Sequence, residues 1–253
     1  LKRQDILGLK VDPITFEEIT NKVISWANSN QSKYICFANV HMVMESYDSP
    51  NFRKIVNEAD IVSPDGMPLV WMLKVKGFKG QNRVSGPETT IRICKEAANK
   101  GIPVGFYGSS EEVLEKLTAN LIKMFPSLKV ACAISPPYRE LTEKEDYEYT
   151  KLINSSGARV LFVGLGCPKQ EKWMNIHKDK INAVMLGVGA AFDFHAGSIK
   201  VAPKWMQNLG LEWFYRLLQD PRRLWKRYAK HNPRFIILGL IQLFREAFQK
   251  KGL

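Results

Sequence analysis

Several residues stand where chemistry is done in proteins that alternate strands and helices. Asp65 follows a brief apolar run (residues 61–63) and sits between Pro64 and Gly66. A carboxylate on a turn at a strand's C-terminal edge is well placed to act as a general base. An Asx turn or a cap for the following helix fits the same residues. Asn39 ends the neighbouring apolar run, residues 34–38, and can face the same crevice or serve as a turn residue. Arg83, in a basic loop and followed by ValSerGly, can clamp a phosphate or carboxylate, or can simply be solvated.

A second group surrounds residues 159–171, ArgValLeuPheValGlyLeuGlyCysProLysGlnGlu. The apolar start reads as a buried strand, Gly164 and Gly166 as a sharp turn, and Pro168 as the first helical position. A helix N-terminus offers free N–H groups and the positive end of its dipole to an anion. Gly164, Gly166 and Gln170 on this unit can bind a diphosphate or a sugar, although a structural turn reads equally well. Residues 182–193 repeat the design with Gly187 and Gly189 and end in Asp193, a candidate acceptor for a ribose or base, or a cap. The dinucleotide fingerprint fails, because Lys169 stands where the third Gly belongs.

Metal chemistry finds little support. His41, His177, His195 and His231 show no HExxH or paired spacing, and no apolar-flanked Asp-x-Asp pair is present. A departing diphosphate would then be stabilised by Lys, Arg and backbone N–H groups. The four cysteines (36, 94, 132 and 167) form no CxxC pair, which argues against both a zinc site and a disulfide framework and suits a reducing cytosol. No signal-peptide pattern is visible. The chain opens on Leu1 rather than Met, so the native N-terminus is not assumed complete.

The elements that must position these residues follow from periodicity. Residues 6–11 read as a strand. Thr15 with Glu18 makes a capping box for a helix to about residue 28. Helices are expected at 50–59, 68–75 and 88–99. Capping boxes are expected at Ser109 with Glu112 and at Thr142 with Glu145. From residue 103 the order strand, helix, strand, helix favours parallel strands with helices on both faces. The expectation is an α/β, Rossmann-like fold with mostly parallel sheets in two lobes. Residues 1–200 form the core, with an acceptor-side lobe of about 1–100 and a nucleotide-binding lobe of about 101–200. Residues 201–253 form a basic amphipathic helical appendage.

Charge separates that appendage from the core. Of a net +12, residues 216–253 carry ten Lys/Arg against two acids, or +8. Trp, Leu and Phe are interleaved with this charge, which points to an anionic surface. The longest uncharged run, residues 235–244, falls short of the roughly 20 residues that cross a bilayer. Breaks are expected at Asp220-Pro221 and at Pro233.

Five motifs in order carry a resemblance over nearly the whole chain. They are ProAspGlyMetPro (64–68), ArgValSerGly (83–86), GlyLeuGlyCysProLysGlnGlu (164–171), GlyValGlyAlaAlaPheAsp (187–193) and GlyLeuGluTrpPheTyrArgLeuLeuGlnAspProArgArg (210–223). The chain resembles the WecG/TagA/CpsF glycosyltransferases. The resemblance implies inverting, metal-independent transfer with no cofactor. A hexose-type sugar (N-acetylmannosamine, its uronic acid, or glucose) would pass from a UDP-sugar to a polyprenyl-diphosphate-linked sugar. The setting would be cell-surface polysaccharide synthesis, peripheral to the cytoplasmic face of the plasma membrane.

Carried over by motif, Asp65 is the base, and Asn39, Arg83 and Gln170 line the sugar site. Gly108, Ser109, Gly164, Gly166, Pro168, Glu171, Gly187, Gly189, Phe192 and Asp193 hold the UDP-sugar. Arg216, Arg223 and either Lys226 or Arg227 reach the lipid diphosphate and the membrane. Many members end soon after the basic tail. The continuation from residue 235 is expected to strengthen membrane binding or to join subunits in a homo-oligomer. No nucleic-acid partner is implied. The rival readings are a nucleotide-cofactor oxidoreductase and a non-enzymatic basic membrane-binding module.

Overall fold

A computed structural model describes residues 2–251. The chain opens with β1 (Gln4–Ile6) and β2 (Leu9–Val11), then α1 (Phe16–Asn28), β3 (Lys33–Ala38), α2 (Val40–Asp48), α3 (Pro50–Asn57) and β4 (Ile61–Pro64). Next come α4 (Met67–Val75), α5 (Gly86–Lys100), β5 (Val104–Gly108), α6 (Glu111–Met124), β6 (Val130–Ile134) and α7 (Glu143–Ser155). The core closes with β7 (Val160–Gly164), α8 (Lys169–His177), β8 (Val184–Gly187) and α9 (Ala191–Ala196). The tail is α10 (Lys204–Asn208), α11 (Glu212–Gln219) and α12 (Pro221–Lys251).

The six longer strands form one sheet in the order β4-β3-β8-β7-β5-β6, every neighbour parallel. The α/β class and helices on both faces are as expected. The two halves share this sheet instead of having one each, because the last strand, β8, returns to pair with β3. Alternation of side chains explains the two helical layers. Ile35, Phe37, Val160, Phe162, Val184 and Leu186 pack under α1, α5, α6 and α9. Tyr34, Cys36, Leu161, Val163 and Met185 point to the other face, with Met42 and Met44 of α2, Phe52 of α3 and Met174 of α8.

Parallel strands put all their C-terminal ends on one edge, so Asn39, Asp65, Gly108, Gly164 and Gly187 stand in a row there. The chain leaves β5 toward β6 on one side and leaves β7 toward β8 on the other. That divergence, at the β5 and β7 ends with Gly108 and Gly164, is the place where open parallel sheets bind ligands.

Local signals were read well in part. The capping boxes at Thr15 with Glu18 and Thr142 with Glu145 both form. Residues 6–11 are a hairpin rather than one strand. Leu7 and Gly8 turn it at φ of 53° and 88°, conformations that a central Gly makes accessible. The α6 cap is Ser110, which accepts from Val113, and not Ser109. Ser109 lies one residue earlier at φ 62°, still turning away from β5. Pro168 is the N-cap of α8 rather than its first helical residue. Pro221 starts α12 as expected, yet Pro233 does not break it. The lost N–H costs one ladder bond. Anchors on both sides hold the helix: Leu224, His231 and Phe235 are buried, Arg234 pairs with Asp48, and Gln242 bonds Leu7 and Asp5.

Gly164 shows how closely the turn is packed. A Cβ there would lie 2.5 Å from the ring of Phe192, which is fully buried and meets Phe106 edge-on. Gly164→Ala is therefore expected to destabilise the fold by about 1–3 kcal/mol through overpacking. A lowered urea midpoint at unchanged slope would report it, and a wild-type midpoint would refute the packing argument.

Candidate active site between the strand ends and the tail

A cleft of about 440 Å³ opens above β3 and β4. Asn39, Asp65 and Gly66 form its floor, and Pro68, Trp71 and Met72 of α4 form one wall. The tail supplies the rest through Gln207, Glu212, Trp213, Arg216, Arg227, Tyr228, His231 and Phe235.

The backbone fixes the floor. Ala38 and Pro64 are register partners, and the amides of Asp65 and Gly66 both donate to the Ala38 carbonyl, at 2.9 and 3.1 Å. Asn39 caps α2, its side chain accepting from the Met42 amide. Val84 lies along β4, its amide donating to Pro64 while its carbonyl accepts from Ser63. That pairing brings Arg83 over the turn. Its Nη2 donates to Asp65 Oδ1 at 2.9 Å, and its Nε donates to the same oxygen at 3.1 Å and to the Asp65 carbonyl. Its Nη1 donates to Glu212 Oε2 on α11 at 2.6 Å.

Asp65 is thus neither an Asx cap nor a solvated turn residue. The N-cap of α4 is Gly66, with no side-chain cap. Burial pushes the Asp65 carboxyl up, Arg83 pulls it down, Glu212 adds to the rise, and the net direction is upward. A carboxylate made less acidic than usual is a better proton acceptor. Burial works against the Arg83 charge, but Asp65 and Glu212 outweigh it and keep the guanidinium protonated.

The glycine turns are braced from beneath. Gln170 is buried, and its Nε2 donates to the Gly187 carbonyl at 2.9 Å and to Glu171 Oε1 at 2.7 Å. Its Oε1 accepts from the Gly166 amide at 3.1 Å. This amide ties the turn after β7 to the end of β8 and is fully used in doing so. Glu171 is wholly enclosed, its pKa raised to about 7 by burial, with Oε2 lacking a hydrogen-bond partner. Phe192 belongs to the core. These three residues shape the turns from within, while Gly164, Gly166, Pro168 and Gly189 stay partly accessible. Gly108 and Gly187 are buried strand ends, with Ser109 half-buried beside them. Asp193 lies in the first turn of α9. Burial raises its pKa, against the pull of Arg223 and Arg216.

The tail brings its arginines to this edge. Arg216 stacks its guanidinium over Phe194, 5.5 Å from the ring centroid, and bears on both Asp65 and Asp193. Arg227 lines the cleft with a buried Nε that has no hydrogen-bond partner among the described residues. Burial, then the charges of Arg216 and Arg223, disfavours its own charge, which marks a place short of an anion. Lys226 is exposed, its Nζ over the Trp225 ring. Of these two residues, Arg227 lines the cleft and Lys226 does not. Arg223 is exposed and pairs with Asp220 at 2.6 Å.

Glu212, Gln207, His41, His231 and Tyr228 were not singled out from the sequence. Glu212 stood inside a quoted motif as an acid amid basic and aromatic residues, which was a usable signal. The two histidines lie 190 positions apart, so spacing could not join them. Among the described residues no helix is long and apolar enough to cross a membrane.

Residues 4–249 match the family model described as glycosyl transferase WecG/TagA/CpsF. The match takes in residues 235–248, so this stretch lies inside the family's own span and is no addition to it. Two similar proteins bear the name N-acetylglucosaminyldiphosphoundecaprenol N-acetyl-beta-D-mannosaminyltransferase. The one from Bacillus spizizenii strain W23 is 29% identical over 204 residues, covering 80% of this chain and 77% of that protein. The one from Bacillus subtilis strain 168 is 26% identical over 221 residues, covering 81% and 84%.

The upward shift of Asp65 has a stability consequence. Its ordinary value is 3.8, and the folded value is higher, so ionised Asp65 weighs against folding as the pH rises through that folded value. Asp65→Asn removes the penalty and keeps a partner for Arg83. The variant is expected to gain thermal midpoint over the wild-type chain as the pH rises above about 4, and the gap should close in acid. A gap that narrowed toward neutral pH would mean that Arg83 outweighs burial.

Proposed function

The chain belongs to the WecG/TagA/CpsF family of glycosyl transferases, and from that premise we propose an inverting, metal-independent transfer of a hexose-type sugar from a UDP-sugar to a polyprenyl-diphosphate-linked sugar. The observation that carries this reading is the placement of Asp65. Its carboxylate stands at a strand end on the floor of a cleft, gripped by Arg83, with Arg216 and Arg227 on the facing tail. Family membership sets aside the oxidoreductase and the non-enzymatic readings.

The proposed step is a single displacement. Asp65 takes the proton of the acceptor hydroxyl, and the freed oxygen bonds to the anomeric carbon of the donor sugar. The bond from that carbon to UDP breaks, and UDP leaves with the electron pair from the opposite face, which inverts the centre. Charge on the leaving diphosphate falls to Arg216, Arg223 and Arg227 and to the N–H groups of the turn after β7. Metal independence has physical support. Arg83 occupies both Asp65 and Glu212, so neither carboxylate is free to hold a dication, and arginines already supply positive charge. Asn39, beside Asp65, would orient the acceptor or donor sugar. Gln170 would act one step removed, by holding the Gly166 and Gly187 ends in place for UDP.

The relatives' printed names speak of an undecaprenol-linked N-acetylglucosaminyl diphosphate and an N-acetylmannosaminyl group, and these are the first acceptor and donor to try. The tail supports work at a lipid surface. Exposed Trp213, Phe214, Trp225, Ile236, Leu240 and Phe244 lie among its Lys and Arg residues. Peripheral docking on an anionic leaflet, on the cytoplasmic side where nucleotide sugars are made, fits that surface.

UDP release in the presence of a polyprenyl-diphosphate-linked N-acetylglucosamine tests the scheme, across a panel of UDP-sugars. Asp65→Asn is expected to lower kcat by about 10²–10⁴, and full activity in that variant would sink the base assignment. EDTA is expected to leave turnover unchanged, whereas a strong loss would refute metal independence. Arg227→Gln is expected to cost about 10²–10³ in kcat if the guanidinium meets charge that develops as UDP departs. An effect confined to KM would instead make it a ground-state contact.

A further inference from the structure

One cluster beside the cleft takes no part in the transfer scheme. His41 and Glu45 stand one turn apart on α2, and His231 reaches them from α12. The two imidazole rings lie 5.1 Å apart, tilted by 59°. Glu45 Oε1 is 3.9 Å from His41 Nδ1 and 3.4 Å from His231 Nε2. The three residues offer ligand atoms that all lie within 4.8 Å of one another.

These are poor hydrogen-bonding arrangements and good ligand arrangements. Nδ1 of each histidine is buried without a hydrogen-bond partner among the described residues. Leaving such an atom unpaired is costly, and a metal on His41 Nδ1 would satisfy that one, with His231 binding through the Nε2 that faces Glu45. Burial, with Arg227 and the other histidine, pushes His41 down to about 3. Burial likewise lowers His231. A tetrahedral dication with bonds of about 2.0–2.1 Å keeps its ligand atoms about 3.3–3.4 Å apart. The His231–Glu45 separation already meets that spacing, the His41–Glu45 separation must close by about 0.5 Å, and no pair in the cluster is farther apart than 4.8 Å. Of the nearby positive charge, Asp48 holds Arg234 at 2.6 Å and Lys230 at 3.5 Å, while Arg227 bears on His41 from the cleft side.

We propose that His41, Glu45 and His231 form a three-ligand site for a transition-metal dication of the zinc class, which clasps α12 onto α2. Two imidazoles and one carboxylate match the preferences of that class, and oxygen-seeking magnesium or calcium would be a poor fit. The fourth position is left to water from the cleft that both histidines line. The clasp is structural. α12 is held without it by the Arg234–Asp48 and Lys76–Glu246 pairs and by buried Phe235, so metal-free protein keeps its tail docked. Bound metal adds stability by binding the folded form only.

Calorimetric titration of zinc chloride into the EDTA-stripped full chain tests this, with a thermal melt and hydrogen exchange alongside. One equivalent should bind, the midpoint should rise, and exchange should slow in residues 40–48 and 221–240. Glu45→Gln and His231→Gln should each weaken binding by more than about tenfold and abolish the added protection, with circular dichroism unchanged. Absence of zinc binding by the wild-type chain would overturn the proposal, and so would binding of equal strength in both variants. Neither result bears on the transfer reading, which is judged by UDP release in EDTA.

Discussion

Arg83 is the charge on which the arrangement depends. Its guanidinium is largely removed from water, as are the two carboxylates it touches, with side chains 17–22% exposed. A charge so enclosed is tolerated only when paired and hydrogen-bonded. Asp65 belongs to the strand edge and Glu212 to the tail, so the requirement to neutralise Arg83 draws the tail down over β3 and β4. The same contact orients the Asp65 carboxylate, and Glu212 keeps that carboxylate from becoming too weak a proton acceptor. Fold closure and site chemistry thus rest on one three-charge group.

Around that group the sheet does the positioning. Six parallel strands buried on both faces leave functional residues only one place to stand, the C-terminal edge, where carbonyls and turns are free of the ladder. The glycines at the ends of β7 and β8 are set by packing as much as by ligand access. Gly164 lies against the Phe192 ring, and Gly187 lies against Met174 and Gln170. Gln170 then ties the two strand ends with two hydrogen bonds and is itself held by a third to Glu171. Rigid turns hold their N–H groups in fixed directions, which is the condition for binding an anion without reorganisation.

What could be read from the sequence was the part governed by near neighbours. Strand–helix alternation gave the parallel sheet, Thr15 and Thr142 gave their caps three residues ahead, and Pro221 gave its break. Asp65, Asn39 and Arg83 were found because strand-end turns are local features, and the structure brings all three to one floor. Failures came where distant contacts decide. β8 pairs with β3 across about 150 residues, which alternation cannot encode. Pro233 stays helical because buried neighbours on both sides outweigh a lost bond. Gln170, Glu171 and Phe192 lie in site-like motifs yet face inward, since a motif fixes spacing but not which face a helix presents. The choice between Lys226 and Arg227 turned on helix phase, which only the docked α12 supplies.

That phase gives α12 two duties. Leu224, His231, Phe235, Leu238 and Leu243 face the core, at helical spacing, and close the cleft. Ile237, Ile241, Phe244 and Phe248 form the opposite stripe and stay exposed, while Ile236 and Leu240 are exposed along the cleft that they line. Large apolar side chains in a continuous stripe are stable in water only at a cost, and covering them releases it. Both stripes belong to one helix, so whatever covers the outer one also bears on how the inner one is held. On the proposed reading the cover is lipid. Docking on the bilayer would then hold Arg227 and, through α11, Glu212 and Arg216 over the strand ends at the surface where a polyprenyl-linked acceptor is found.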